Sequence, residues 1–197
     1  GNSTISSNAL TTVNLSGTAG TLGITTGLTT PTITALALNV NGLSGTNTIT
    51  DSTAPTGVGY ATINLAGNTK ASTIANIAAV DATALNVSGD QVITLTSAAG
   101  MSTLSKVAVS GSAGLTADLS AASVTSIDAS ATSGAVTVTV DGTKATFTGG
   151  TGVDTVTVAA APTKAINGGA GLADVIVNNA TTDLVAANGN VIGFEVL

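Results

Sequence analysis

The chain of 197 residues contains no cysteine, histidine or tryptophan, and its four basic residues are all lysines. Without cysteine it forms no disulfide and offers no reactive thiol. Its many serine and threonine hydroxyls lack a histidine to activate them and an arginine to hold an oxyanion, so an isolated lysine would have to act as the base. Carboxylate pairs that hydrolyse glycosides would have almost no aromatic ring for a sugar to stack on. We therefore expect a protein that is not an enzyme.

Positive charge is scarce throughout the chain. Four lysines face ten acidic residues, which gives a formal net charge of -6 at pH 7. So few cations cannot displace the counterions of a phosphate backbone, and we expect no nucleic-acid partner. Residues 1–50 have no charged side chain, yet Asn, Thr, Ser and Gly interrupt each apolar run within a few residues. This pattern excludes a membrane-spanning helix, and we expect no membrane insertion.

Large rings are also rare, since Tyr60, Phe147 and Phe194 are the only aromatic residues. Leu, Ile, Val and Phe together make up about a quarter of the chain, which is enough apolar content for a folded core. The core must therefore consist of many small aliphatic layers. Such layers suit a thin, repetitive interior.

An apolar-x-apolar-x-Gly step recurs five times in the first 111 residues, at 13–17, 38–42, 63–67, 85–89 and 107–111. Its glycines are 25, 25, 22 and 22 residues apart, and related steps return at 147–149 and 166–168. Most of these steps carry an asparagine between the apolar pair, namely Asn14, Asn39, Asn64 and Asn86. A nearly fixed period of this length is typical of one supersecondary unit that is stacked repeatedly.

A second apolar run follows the glycine in each unit, and most of these runs are short and rich in β-branched residues, as expected for strands. We therefore predict an all-β fold, a parallel β-solenoid (β-helix or β-roll) of about eight coils of 19–25 residues. Residues 1–145 are its solenoid repeats, and residues 146–197 are a β-roll continuation of the same solenoid. The asparagines would stack and hydrogen-bond along the solenoid, or serve as solvent-facing turn residues. An antiparallel β-sandwich is the alternative fold.

Residues 149–157 match the calcium-binding nonapeptide G-G-x-G-x-D-x-U-x at every specified position. A second copy at 168–176 has one residue inserted before its aspartate, and a looser echo lies at 111–118. Glycines let such a turn expose backbone carbonyls while the aspartate adds charge, and calcium takes six to eight such oxygens. The predicted ligands of one calcium shared between two stacked turns are Gly149, Gly150, Gly152, Asp154, Gly168, Gly169, Gly171 and Asp174. A glycine-rich turn with aspartate as a turn or cap residue is the alternative interpretation.

These turns, the Thr/Ser/Ala/Val/Gly-rich repeats without cysteine, and the Gly-Phe-Glu-Val-Leu segment at 193–197 resemble RTX-type S-layer proteins and related surface adhesins of Gram-negative bacteria. The resemblance implies type I secretion, an extracellular location on the bacterial cell surface, and calcium-loaded β-rolls that assemble into lattices. The continuation at 146–197 would then be RTX-like. The expected partners are copies of the same chain and a cell-surface polysaccharide.

The expected function is that of a structural repeat fragment of an S-layer-like protein, self-assembling and stabilised by calcium. An adhesin module that binds a surface glycan or a host ligand is the alternative. Thr-x-Thr elements at 46–48, 137–139 and 155–157 raise a third function, since a solenoid face of regularly spaced threonines can order water for ice binding. The β-propensity of threonine on an exposed strand face explains these elements as well.

Overall fold

The structure is a computed structural model that describes residues 2–18, 20–25, 34–52, 57–120, 123–179, 184 and 189–196. In this part of the chain, nineteen strands form three sheets, and every strand pair is parallel. Successive windows of the sequence lie on one another as coils. The predicted parallel β-solenoid of about eight turns is confirmed, and the antiparallel sandwich is wrong.

One wall of the solenoid is a single nine-stranded sheet, which we call the long sheet. It passes residue 145 without interruption, because strands on both sides of that position pair with one another. Its strands are β2 (Thr12–Thr18), β4 (Ala35–Ser44), β6 (Thr62–Gly67), β9 (Ala84–Gly89), β11 (Lys106–Gly111), β13 (Ser126–Thr132), β15 (Thr146–Thr148), β17 (Ile166–Asn167) and β19 (Val191–Ile192).

The opposite wall consists of two sheets that follow one another along the stack. The N-terminal sheet contains β1 (Ser3–Ser6), β3 (Thr21–Thr25), β5 (Thr48–Asp51) and β8 (Asn76–Ala78). The C-terminal sheet contains β7 (Ser72–Ile74), β10 (Ile93–Leu95), β12 (Leu115–Asp118), β14 (Val136–Val140), β16 (Thr155–Val158) and β18 (Val175–Asn178). Most coils therefore contribute one strand to each wall.

The core lies between the two walls and is built from columns of inward-facing aliphatic residues. Side chains alternate between the two faces of each strand, so every second residue points inward. Phe147 is the largest fully buried side chain and continues one such column. That column runs in register through Leu36, Ile63, Leu85, Val107, Ile127, Phe147 and Ile166. Each member is at most 2% exposed, and burying a large aliphatic side chain contributes about 1.5–3 kcal/mol.

The predicted asparagine stack is present in two separate pairs. Asn39 Nδ2 donates to Asn14 Oδ1 at 2.8 Å, and Asn86 Nδ2 donates to Asn64 Oδ1 at 2.8 Å. Between the second and third coils, however, Asn64 pairs with Ala37 instead of Asn39. A single ladder through all the asparagines is therefore wrong, because the register shifts there by two residues.

This shift is compatible with the core because a two-residue slip returns every side chain to the same face of the sheet. It occurs where the opposite wall changes sheets, since β8 ends the N-terminal sheet and β7 begins the C-terminal sheet. Buried Asn47 spans the break between these two strands: its Nδ2 donates to the Thr73 carbonyl at 2.8 Å, and its Oδ1 accepts from the Ala75 N–H at 3.3 Å. Nearby, Ser72 Oγ accepts from the Leu43 N–H at 3.1 Å.

Truncating the aromatic member of the core column tests the packing directly. We expect Phe147→Ala to lower the free energy of unfolding by about 3–5 kcal/mol, because it removes a buried ring and leaves a cavity between two coils. Urea unfolding followed by circular dichroism measures this loss. The matched control is Phe194→Ala, which truncates a partly buried ring near the last strand and should cost clearly less. Equal losses in the two variants would contradict the described core.

Candidate functional site

The two glycine-rich turns lie on the same edge of the solenoid, where the chain passes from the long sheet to the C-terminal sheet. The first turn joins β15 to β16, and the second joins β17 to β18. The structure brings together all the residues predicted from the nonapeptides. It stacks them in pairs: Gly149 with Gly168, Gly150 with Gly169, Gly152 with Gly171, and Asp154 with Asp174.

Glycine is required in these turns because their backbones touch. A Cβ atom on Gly149 would collide with the Gly168 carbonyl, and one on Gly171 would collide with the Gly152 carbonyl. Gly169 also has a φ of +104°, a backbone conformation that residues with a side chain rarely adopt. The motif glycines therefore allow one turn to lie directly on the next.

The acidic residues of these turns accept backbone hydrogen bonds. Asp154 Oδ1 accepts from the Val136 N–H at 2.8 Å, and its Oδ2 accepts from the Gly150 N–H at 2.9 Å. Asp174 Oδ1 accepts from the Asp154 N–H at 2.8 Å. Glu195 Oε2 in turn accepts from the Asp174 N–H at 2.8 Å. We call Asp154, Asp174 and Glu195 the acid ladder, because each carboxylate caps the backbone of the preceding coil.

The acid ladder replaces a backbone contact that earlier coils make at the same edge. There the Ile93 N–H donates to the Gly114 carbonyl at 3.0 Å, and the Leu115 N–H donates to the Ala135 carbonyl at 3.2 Å. From Val136 onward, a carboxylate accepts the corresponding hydrogen bond instead. The aspartates thus keep the N–H groups at the strand starts paired where the turns change shape.

Two members of the acid ladder are removed from solvent. Asp154 and Asp174 are fully buried, at 0% exposure, whereas Glu195 is exposed. Burial raises the pKa of the Asp154 carboxyl; the hydrogen bonds from the Val136 and Gly150 N–H groups act in the opposite direction, and the neighbouring Asp174 charge raises the pKa further. Asp174 Oδ2 is buried and has no hydrogen-bond partner among the described residues.

The geometry at Asp154 allows a test of how well the turns fit calcium. Both of its carboxylate oxygens face N–H donors at 2.8 and 2.9 Å, so a cation there would lie beside partially positive hydrogens. Within the described residues, no group of three or more His, Cys, Asp or Glu side chains is placed to hold a metal ion. In this conformation neither carboxylate oxygen of Asp154 is open to a cation, whereas Asp174 Oδ2 has no hydrogen-bond partner among the described residues. Calcium binding stays a prediction, and coordination by Asp154 would require it to leave its N–H partners.

Sequence reasoning placed the aspartates in the turns but missed two parts of the site. Val136 carries no motif, since its contribution is a backbone N–H group. Glu195 joins the ladder from a shorter turn that lacks the nonapeptide pattern, and only its position two residues after Gly193 hints at this. The looser echo ends at Asp118, which instead is exposed at the end of β12 and accepts from the Ser120 hydroxyl at 2.6 Å.

Comparison with known proteins assigns the chain to no family. No protein-family model matches it, and no curated protein gives a significant match. In the part of the chain that the structure describes, no helix has the length and hydropathy needed to cross a membrane. The resemblance to RTX-type surface proteins therefore rests on the sequence motifs and is compatible with the solenoid fold.

Replacing one carboxylate by its amide tests the acid ladder. Asp154→Asn should lower the free energy of unfolding by about 1–3 kcal/mol, because the new amide nitrogen would face a backbone N–H donor. Chemical denaturation measures this difference. Asp118→Asn is the matched control, since the exposed amide keeps an oxygen for its turn and should leave stability nearly unchanged. A variant Asp154→Asn as stable as the parent would show that these N–H groups do not depend on the carboxylate.

The pH dependence of the free energy of unfolding reports on the Asp154 carboxyl. The pKa of Asp154 is raised above its ordinary value of 3.8, so the folded chain keeps this proton at pH values where the unfolded chain has lost it. The contribution of this proton to stability is complete below pH 3.8 and is lost as pH rises through the folded-state pKa. Denaturation of the parent and of Asp154→Asn at several pH values isolates it. The stability gap should widen from pH 7 toward about pH 4; a gap that narrows on acidification would contradict the raised pKa.

A calcium titration tests the fit of the turns. Because both Asp154 oxygens accept from N–H donors, a chain that keeps this conformation should have the same melting temperature in millimolar calcium and in excess chelator. Isothermal titration calorimetry on chelated protein should show no stoichiometric uptake. Uptake of one ion that raises the melting temperature, and that Asp174→Asn abolishes, would show that the turns rearrange around calcium as the nonapeptide predicts.

Proposed function

We propose that the chain is a structural segment of a bacterial cell-surface protein of the S-layer type, which acts as a spacer and associates with copies of itself. The supporting observation is the uninterrupted nine-stranded long sheet with its continuous core column. Hydrogen bonds and apolar contacts both run from coil to coil, so each coil is held by its neighbours. About eight coils at about 4.8 Å each make a rod of about 40 Å.

Several of the few charged and aromatic side chains are engaged within the fold, which favours a structural role over catalysis or glycan binding. The Tyr60 ring is buried, and its hydroxyl donates to the Leu10 carbonyl at 2.8 Å. Phe147 lies fully inside the core. Asp141 accepts from the Thr143 hydroxyl at 2.6 Å in a local turn. A glycan-binding adhesin would use exposed rings of the kind that Tyr60 and Phe147 do not offer.

The last strand of the long sheet supports self-association. In the described residues, β19 pairs with β17 in the long sheet. Ile192 is 54% exposed and Val196 is 49% exposed in and near this strand, and Leu197 lies outside the described residues. Exposed apolar side chains favour association with another apolar surface. A second copy of the chain offers the same surface.

Sedimentation and negative-stain microscopy of the purified chain test this proposal, in calcium and in chelator separately. We expect concentration-dependent assemblies such as filaments or sheets. Ile192→Lys should abolish them, because a charge on this exposed apolar surface opposes its burial against a second copy. Leu172→Lys is the matched control, since Leu172 is 92% exposed in a turn and its replacement should leave assembly intact. Particles that stay monomeric in both conditions would overturn the proposal.

A further inference from the structure

The outward face of the C-terminal sheet carries one column of threonines and a second, shorter column of one aspartate and two threonines. The first column is Thr73, Thr94, Thr116, Thr137 and Thr155, which lie in register on successive strands. The second column lies two residues further along the strands and contains Asp118, Thr139 and Thr157. We call this surface the threonine face. It unites the Thr-x-Thr elements at 137–139 and 155–157, whereas Thr48 of the element at 46–48 lies in the N-terminal sheet.

The backbone fixes the spacing of this array. Neighbours within a column are separated by the strand spacing of about 4.8 Å, and the two columns are separated by two residues of strand, or about 6.6 Å. Threonine is β-branched, so its methyl and hydroxyl groups have few orientations to lose on binding. The strands beneath are anchored by inward residues such as Val138 and Val156, at 2% and 0% exposure. The threonine face is therefore a preorganised, regular lattice.

The chemistry of the threonine face restricts what it can bind. Asp118 is the only charged residue in the strands of the C-terminal sheet, and these strands contain no lysine and no aromatic ring. Its threonines are exposed or partly exposed, and their hydroxyls have no intramolecular hydrogen bond among the described residues. A shallow depression of about 280 Å³ follows the surface past Thr94, Thr116 and Thr137. The surface offers too little charge to bind an ionic ligand, and it offers no aromatic ring on which a sugar could stack.

We propose that the threonine face binds ice. A lattice of alternating methyl and hydroxyl groups holds water in a fixed two-dimensional order, with the methyl groups confining water molecules and the hydroxyls joining their hydrogen-bond network. Ice repeats in two dimensions and carries no charge, so it matches this array without an ionic or aromatic contact. This activity uses the side of the rod and is independent of the self-association proposed for β19.

Thermal hysteresis of the purified chain tests the proposal, with an inert protein at equal concentration as reference. The parent chain should prevent ice crystals from growing over an interval of temperature below the melting point, which is the thermal hysteresis gap. It should also shape the crystals into facets. Thr116→Tyr and Thr137→Tyr should each abolish this gap, because one bulky ring lifts the whole face away from a planar surface. Thr146→Tyr is the matched control on the long sheet, in an outward, partly exposed position, and should keep full activity. Circular dichroism and the melting temperature confirm that the variants fold.

Two results would overturn the proposal. The first is a thermal hysteresis gap of the parent chain that is no larger than that of the inert protein. The second is a gap that Thr146→Tyr reduces as much as Thr137→Tyr, since the activity would then not belong to the threonine face. Cosedimentation with crystalline cellulose provides the remaining comparison: binding to cellulose without hysteresis would assign this face to a polysaccharide and refute ice binding.

Discussion

In-register parallel pairing between successive coils is the constraint on which the rest of the structure depends. Once one strand lies above another without slipping, every inward side chain falls on an inward side chain of the previous coil. The core column from Leu36 to Ile166 follows from this pairing in the long sheet. The threonine column from Thr73 to Thr155 follows from it in the opposite wall. The buried core and the ordered surface are thus two products of one register.

Buried polar side chains form hydrogen bonds to the backbone where the chain turns and backbone groups do not pair with one another. At the change between the two sheets of the opposite wall, Asn47 supplies both a donor and an acceptor to the backbone. At the glycine-rich turns, Asp154 and Asp174 supply acceptors to strand starts that would otherwise lack one. A buried N–H group without a partner is costly, which explains why these polar side chains lie inside a largely aliphatic protein. The same hydrogen bonds use both carboxylate oxygens of Asp154 and leave only Oδ2 of Asp174 without a partner among the described residues.

The sequence made the fold and the stacked turns predictable, because both depend on patterns that survive without coordinates. A period near 20–25 residues and alternating apolar residues were sufficient for a parallel solenoid. The pairing of Asn64 with Ala37 was not predictable, since a slip of two residues buries the same side chains. The partners of Asp154 were hidden because one is the backbone of Val136. The threonine face could not be predicted without knowing the strand register, because its residues are not evenly spaced along the chain.

Paired cysteines measure the register most directly, and the absence of native cysteine makes the result unambiguous. Residues paired in neighbouring strands lie about 4.8 Å apart, within the Cα separation of 4.4–6.8 Å that a disulfide spans. Under mild oxidation, Ala37→Cys with Asn64→Cys should form a disulfide rapidly in the folded chain. Asn39→Cys with Asn64→Cys, displaced by two residues, should form it slowly or not at all. Faster closure of the second pair would contradict the pairing of β4 with β6, and with it the in-register step from Leu36 to Ile63 on which the core column depends.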